Sequence, residues 1–146
     1  MQSILKECKI VTVENSVAAG KATTVGEIVD TAGFHRALFL YKLGAVTDGA
    51  AVTLKIYSGT DASVSDVAEL AGASAAIATT ATDSEQILAI EVIEPRERYL
   101  RPTIVTATQN VEIDWAVCIL HNADVIPVTQ PATIDVATIV VSPAEA

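Results

Sequence analysis

Short runs of alternating apolar and polar residues recur along this chain. In residues 51–57, Val52, Leu54 and Ile56 face one way, while neighbours such as Lys55 face the other. This two-residue period is that of a β-strand with one buried and one wet face. Similar β-branched runs predict strands at residues 9–13, 22–30, 36–43, 51–57, 86–93, 98–107, 111–120 and 134–141. The pattern therefore predicts an all-β fold, an antiparallel β-sandwich of about eight strands.

Turn residues separate these strands. Asp48-Gly49 supplies the positive φ of a hairpin turn, so the strands that flank it are predicted to pair antiparallel. Residues 94–97 and residues 109–110 predict two later hairpins in the same way. Pro102 has no backbone donor, and we therefore expect it on a sheet edge or at a bulge.

Residues 63–82 break the strand pattern. A helical turn is predicted at residues 65–70, and the Ala-, Ser- and Thr-rich remainder is too small and polar to form a core of its own. We predict a long loop that crosses the sandwich. Loops of this length in compact domains are usually functional or bound to a partner.

Composition and charge narrow the possible functions. The chain has 146 residues, enough for one domain, and only 4% aromatic residues, so Val, Ile, Leu and Ala must build the core. A net charge of −9 argues against a nucleic acid partner, because phosphate backbones demand clustered Lys and Arg. The sequence carries neither a basic and apolar leader nor an apolar run that could span a bilayer. We therefore expect no membrane partner and synthesis in the cytosol of the producing cell.

The sequence contains no recognisable set of catalytic groups. Asp61 begins a D-x-S-x-S run, but the α/β setting in which that spacing binds metals is missing. His35 and His121 lie at strand boundaries outside any nucleophile motif, and the carboxylates lack a cleft with sugar-stacking aromatics. Cys8 and Cys118 have no CxxC spacing and are expected as reduced thiols, with Cys118 buried. We expect no enzyme activity, no catalytic residue, no metal site and no cofactor.

Residues 111–120 form an apolar strand with a candidate interface. One row is apolar throughout and contains Val111, Ile113, Trp115, Val117 and Ile119. The other row begins with acidic residues and becomes apolar at Ala116, Cys118 and Leu120. The second half of the strand should therefore be covered on both faces, by the chain's own tail or by a neighbouring subunit. On the second alternative, Ala116, Cys118 and Leu120 lie in an interface, and we expect a homo-oligomer, with a trimer preferred.

Three short motifs follow one another in order: AGFHR at residues 32–36, VTLKI at residues 52–56 and RYLR at residues 98–101. Together they resemble a group of small head proteins of tailed bacteriophages, the capsid decoration or cement proteins, which have a β-sandwich of jelly-roll type. The similarity covers residues 22–128. It implies a core at residues 21–128, an N-terminal arm or edge strand at residues 1–20, and a C-terminal arm or strand at residues 129–146.

The resemblance also implies a function. Such a protein decorates and stabilises the outer surface of a tailed-phage capsid by binding capsomers of the major capsid protein, commonly as a homotrimer, with no active site and no cofactor. An acidic surface suits the outside of a DNA-filled head. The alternatives are a carbohydrate-binding or other surface-binding β-sandwich module of the virion, on its head or tail, and an enzyme subunit on a β scaffold.

The tail holds a second candidate interface. Prolines interrupt the sheet pattern, and an apolar strand pattern then returns at Ile134, Val136, Ile139 and Val141. Such a segment gains most by adding to the open sheet edge of a neighbouring subunit or of the shell protein. Residues 4–13 are a weaker candidate for the same role. The alternative is that the tail closes its own sandwich.

Overall fold

The computed structural model describes residues 3–64, 67–78 and 84–142. They form one short helix, α1 (Ile4–Glu7), and a set of strands. The strands are β1 (Lys9–Glu14), β2 (Val17–Gly20), β3 (Thr23–Val25), β4 (Val29–Asp30), β5 (Phe34–Val46), β6 (Ala51–Gly59), β7 (Ala68–Ala78), β8 (Ile87–Ile93), β9 (Tyr99–Ala107) and β10 (Val111–Ala123). None of the helices in these ranges is long and apolar enough to cross a membrane.

The strands form two antiparallel sheets of five strands each, which confirms the all-β sandwich. Sheet A has the order β1-β10-β5-β8, and β2 also pairs with β10. Sheet B has the order β3-β9-β6-β7, and β4 also pairs with β9. Because β2 continues the line of β1 and β4 continues that of β3, the sandwich has eight strand positions in the order of a jelly roll.

Three predicted hairpins are wrong, because the chain crosses between the sheets at these turns. Strand β5 pairs with β10 and β8 in sheet A, whereas β6 pairs with β7 and β9 in sheet B. Gly49 does adopt a positive φ of 88°, as expected for a tight turn. The turns before and after β9 also connect the two sheets. A local turn signal identifies a chain reversal, but it does not determine which strand becomes the hydrogen-bonded neighbour.

The predicted loop at residues 63–82 is a strand over much of its length. Strand β7 pairs with β6 from Ala68 to Ala78, with a register shift between Lys55 and Tyr57 of β6. Gly72, at a φ of 82°, lies in this irregular part of β7. Small Ala and Ser side chains weakened the strand signal, but pairing with β6 satisfies the backbone. The helical turn predicted for residues 65–70 lies partly outside the described residues, and Ala68 to Leu70 are strand.

The core lies between the two sheets. Val52, Leu54 and Ile56 of β6 have no exposed surface, as their alternation predicts. From sheet A they face large side chains that are also fully buried, notably Phe39 and Tyr41 of β5. Cys118 is buried, as expected, and burial raises the pKa of its thiol. Cys8 is half-buried, and both cysteines are free thiols.

Pro102 lies in strand β9, which has neighbours on both sides, so the predicted position on a sheet edge is wrong. Its carbonyl accepts a hydrogen bond from the Gly26 amide at 2.9 Å, which places its backbone groups on the side of β3 and β4. Residues 26–28 separate those two strands, so the predicted strand 22–30 is interrupted. The missing donor of Pro102 therefore faces the interruption and leaves the pairing with β6 intact.

A β-bulge in β10 moves its apolar rows between the two faces. Ile113 pairs with Leu43 and Trp115 with Lys42, so Asp114 is an extra residue without a partner position on β5. Before the bulge Val111 and Ile113 are buried; after it the buried residues are Ala116, Cys118 and Leu120. Odd-numbered residues after the bulge face outward. The single apolar row predicted from Val111 to Ile119 is thus split by the bulge.

This split corrects the basis of the first predicted interface. Ala116, Cys118 and Leu120 are at most 1% exposed because the chain's own sheet B covers them. They already have a cover within one chain, so the argument that they need a neighbouring subunit is wrong. The opposite row of β10, which includes Val117 and Ile119, has no second sheet over it in the part of the chain that the structure describes.

The terminal segments differ from the sequence expectations. Residues 134–142 are not strand, so neither the strand predicted at 134–141 nor closure of the chain's own sandwich occurs. Within this tail Ile134 is half-buried, whereas Val136, Ile139 and Val141 are exposed. Strand β1 pairs with the chain's own β10 on one side, and the Gln130 side chain contacts its other side, so the weaker expectation that residues 4–13 pair with a partner stays a prediction.

Candidate interaction surfaces

The outer face of sheet A is apolar. Its outward side chains include Ile10, Leu38, Leu40, Ile87, Ala89, Ile93, Trp115, Val117 and Ile119, which we call the apolar platform. Ile87 and Ile93 are 52% and 57% exposed, and Trp115 is 38% exposed at the end where the bulge lies. Leu38, Leu40, Val117 and Ile119 are neighbours at its centre, and apolar surface of this kind marks interaction sites on soluble proteins. Polar side chains interrupt the platform toward its two ends. Arg36 and Lys42 of β5 face outward beside Ile93 and Ile87, and Glu91, between Ala89 and Ile93, lies 2.7 Å from His121 Nε2.

Local packing explains why the platform contains Trp115. Asp114, the extra residue of the bulge, places its carboxylate 3.3 Å from Lys42 Nζ, and Lys42 also contacts Glu85. These carboxylates, Glu85 first, raise the pKa of Lys42 and so keep it charged. Gly44 leaves the space for this arrangement, because a Cβ there would lie 2.6 Å from Asp114 Oδ1. The bulge and its ion pairs turn Trp115 outward.

The outer face of sheet B is polar by comparison. Tyr57 and Tyr99 lie diagonally across β6 and β9, with the Arg101 guanidinium 5.8 Å from the ring centre of Tyr57 and that of Arg98 5.1 Å from the ring centre of Tyr99. Arg98 also forms two 2.8 Å bonds to Asp30, and these lower the pKa of that carboxyl. The arginines cover these half-buried rings, so the pair is not an open cluster of aromatic residues for sugar stacking.

His35 joins the ends of three neighbouring strands in sheet A. Its Nε2 lies 2.6 Å from Asp124 Oδ1 and its Nδ1 lies 3.1 Å from Glu94 Oε2. Carboxylates only accept hydrogen bonds, so this geometry requires a proton on both ring nitrogens and therefore a positive charge. The bond with Asp124, and then that with Glu94, raises the pKa of His35. The side chain is a structural clamp on the surface.

The two carboxylate contacts of His35 should make the stability of the fold depend on pH. Folding raises the pKa of His35 above its unfolded value of about 6.5. The stabilisation that its two ion pairs give the fold is therefore complete below that unfolded pKa and is lost as the pH rises through the folded pKa. We expect an NMR titration of the His35 ring to give a pKa above that unfolded value. Asp124→Asn should lower this pKa more than Glu94→Gln does. A wild-type value at or below the unfolded one would contradict the clamp.

The D-x-S-x-S run that begins at Asp61 makes local contacts in the part of the chain that the structure describes. Asp61 Oδ1 accepts bonds from the Ser63 amide at 2.9 Å and its hydroxyl at 2.7 Å, which closes a local turn; Ser65 lies outside the described residues. Residues 3–64, 67–78 and 84–142 contain no group of three His, Cys, Asp or Glu that could hold a metal ion. A groove of 450 Å³ includes Glu14 and Glu27, where burial raises the pKa of Glu14.

Comparison with known proteins gives distant structural similarity. No protein-family model and no curated protein matches the chain. A subunit of the Bacillus endospore appendages, described as disulfide-linked pili, has a TM-score of 0.49 and 16% identity over 80% of this chain and 88% of that chain. The SPBc2 prophage-derived protein YomS has a TM-score of 0.48 and 11% identity over 82% of this chain and 97% of that chain. A chain of infectious bursal disease virus, Gt strain, has a TM-score of 0.46 and 10% identity over 80% of this chain and 33% of that chain.

These similarities are too distant to assign a family or a function. The class of protein is defined by the strand order of the two sheets, which is that of a jelly-roll β-sandwich. The chain is similar to the prophage and virus proteins in its fold alone.

Sequence reasoning missed the most exposed part of the platform. Leu38 and Leu40 alternate with the buried residues of β5, and Ile87 and Ile93 lie at the ends of β8. The available signal was that both strands are apolar at odd and even positions alike. That signal does not show which face the second sheet covers.

Proposed function

We propose that this chain is a structural virion protein that binds the outer surface of a tailed-phage capsid through the apolar platform. The supporting observation is an apolar sheet face on a chain of net charge −9. The three motifs that resemble decoration proteins lie in the jelly-roll framework: Gly33, at a φ of 84°, makes the turn before β5, and the other two motifs lie in β6 and at the start of β9.

The size of the platform favours several copies. Four strands at about 4.8 Å spacing and seven residues in length give a footprint of roughly 450 Å². A stable interface usually buries about 800 Å² per partner, so one platform alone would bind weakly. Several linked copies on a regular shell would gain affinity through avidity. This supports a homo-oligomer, with a trimer as the proposed state, and the major capsid protein as partner.

The test uses virions of the phage that encodes this chain, called particles below, and a matched pair of variants. Trp115→Asp places a charge on the platform, and Val25→Asp places one at a 53% exposed position of sheet B. We expect wild type and Val25→Asp to cosediment with particles, and Trp115→Asp to bind at least about 30-fold more weakly, as for loss of an aromatic hot spot worth about 2 kcal/mol. Equal binding of the two variants would contradict the platform, and absence of the chain from a cryo-EM map of the virion would overturn the virion role.

A carbohydrate-binding module is the second candidate, because the exposed ring of Trp115 is the kind of side chain that stacks on a sugar. A glycan array distinguishes the two functions. Binding of a glycan that Trp115→Asp abolishes, together with no binding to particles, would favour the module.

A further inference from the structure

We propose that β8 accepts the tail of a second copy of this chain as an added strand. The donor is residues 134–142, which we call the C-terminal arm. The acceptor is the side of β8 that faces away from β5, which we call the β8 edge. The proposal concerns self-assembly and does not depend on the virion function.

Within residues 3–64, 67–78 and 84–142, the backbone of β8 pairs on one side only. Its one neighbour within the described ranges is β5. The Leu43 amide donates to the Gln86 carbonyl at 2.8 Å, and the Glu94 amide donates to the His35 carbonyl at 2.7 Å. Since bonded pairs alternate along an antiparallel ladder, even-numbered residues of β8 face β5 and odd-numbered residues face the free edge. The backbone groups on that edge belong to Ile87, Ala89, Glu91 and Ile93.

Among the residues that the structure describes, none gives the β8 edge the usual protection against pairing. Exposed edge strands are normally interrupted by Pro, Lys, a bulge or a cover. Strand β8 has seven residues, ILAIEVI, of which Glu91 is the one with a charge. Strand β7, the facing edge of sheet B, does have an irregularity at Gly72. An apolar and regular edge of this length is a site for strand addition.

A cavity lies beside the edge. Its volume is 320 Å³, and its lining includes Leu70 and Ala73 from β7 together with Ile90 and Val92 from β8. These four side chains pack against the core but are incompletely buried. An added strand would point alternate side chains into this opening between the two sheets. Its other side chains would extend the apolar platform.

The C-terminal arm fits such an acceptor. It is apolar on alternate positions of both faces, and Val136, Val140 and Val141 are each at least 67% exposed. It carries one charged residue, Asp135, so its approach to a second acidic body is little opposed. Nine residues in extended form span about 30 Å, which is enough to pair along all of β8.

The position where the arm starts favours a second copy over the chain's own β8. The Gln130 side chain donates to the Leu5 carbonyl at 3.0 Å and accepts from the Ile10 amide at 3.0 Å. Thr133 lines the groove at the end of β1. Strand β1 lies three strands from β8, about 14 Å across the sheet. Reaching its own β8 would use about four of the arm's nine residues to cross the platform, which leaves about five to pair with the seven residues of β8.

Donor and acceptor therefore lie at opposite edges of one molecule. Contacts of this type are heterologous, and they close into a ring when the rotation allows. A ring of three copies, each giving its arm to the next, is consistent with the trimer expected from the sequence.

The test uses one variant for each side of the contact. Ala89→Pro removes an N–H that only an added strand would use, and Ala89→Ser, which keeps that N–H, is its control. Ile139→Asp charges the arm at a position 46% exposed in the single chain, so folding should be unaffected. By analytical ultracentrifugation we expect wild type and Ala89→Ser to form oligomers, and each of the other two variants to be monomeric at the same concentration.

A mixture of the two monomeric variants makes the test specific. Ala89→Pro retains a normal arm and Ile139→Asp retains a normal edge, so the mixture should form a one-to-one dimer. A monomeric wild type, variants that assemble like wild type, or a mixture that stays monomeric would each overturn the proposal. If Ala89→Pro fails to fold, Ala89→Lys replaces it, because a lysine on the edge also opposes pairing.

Discussion

Cys118→Asp should unfold the chain, whereas Val117→Asp, one residue away, should leave it folded. Cys118 has no exposed surface and lies against the core, with Val11 and Phe39 as its cross-strand neighbours. A buried carboxyl group without partners costs about 4 kcal/mol or more, a large part of the 5–15 kcal/mol that stabilises a typical domain. Val117 points outward between Thr12 and Leu40, where a charge can remain hydrated.

Urea unfolding followed by circular dichroism measures this difference. Val117→Asp should lose about 1 kcal/mol or less, since its cost is one of strand propensity and lost outer-face contacts. The pair tests the bulge at Asp114 directly, because a β10 without the bulge would reverse the two positions. A stable Cys118→Asp and an unfolded Val117→Asp would show that the face assignment is wrong.

Gly26→Ala should destabilise the fold by about 1–3 kcal/mol, the usual range for overpacking. An added Cβ would lie 2.8 Å from Pro102 Cγ, 2.8 Å from Tyr41 Oη and 3.1 Å from the Val13 carbonyl. None of these atoms can move easily, because Tyr41 and Val13 are fully buried and the proline ring is fixed in β9. The interruption between β3 and β4 therefore requires glycine for close approach.

Gly20→Ala is the matched control. Its added Cβ would meet no atom closer than 3.8 Å, and neither glycine adopts a positive φ. Differential scanning calorimetry should show a melting temperature lower by roughly 3–9 °C for Gly26→Ala and nearly unchanged for Gly20→Ala. Equal melting temperatures would contradict the packing at Gly26.

The two interface predictions from sequence had different outcomes for physical reasons. The row of Ala116, Cys118 and Leu120 is apolar because it faces the chain's own core, and the structure thereby removes the reason to place it in an interface. The arm that includes Ile134, Val136, Ile139 and Val141 is largely exposed, and its proposed pairing with a neighbour stays a prediction.

Local sequence determined what depends on neighbouring residues. The alternation in β6, the turns at Gly33 and Gly49, and the burial of Cys118 each follow from side-chain period, backbone freedom or polarity. The all-β class and the two-layer fold follow from many such strands in one chain.

Only the tertiary structure decided which strands became neighbours and which apolar face was covered. The same turn residues serve a hairpin and a crossing between sheets, because the turn constrains four residues while pairing depends on strands far apart in sequence. The bulge at Asp114 depends on the contacts of Lys42 and Gly44, which come from another strand. Strands apolar on both sides carry no local signal for the inner face, so the platform on sheet A emerged only when sheet B covered the opposite row.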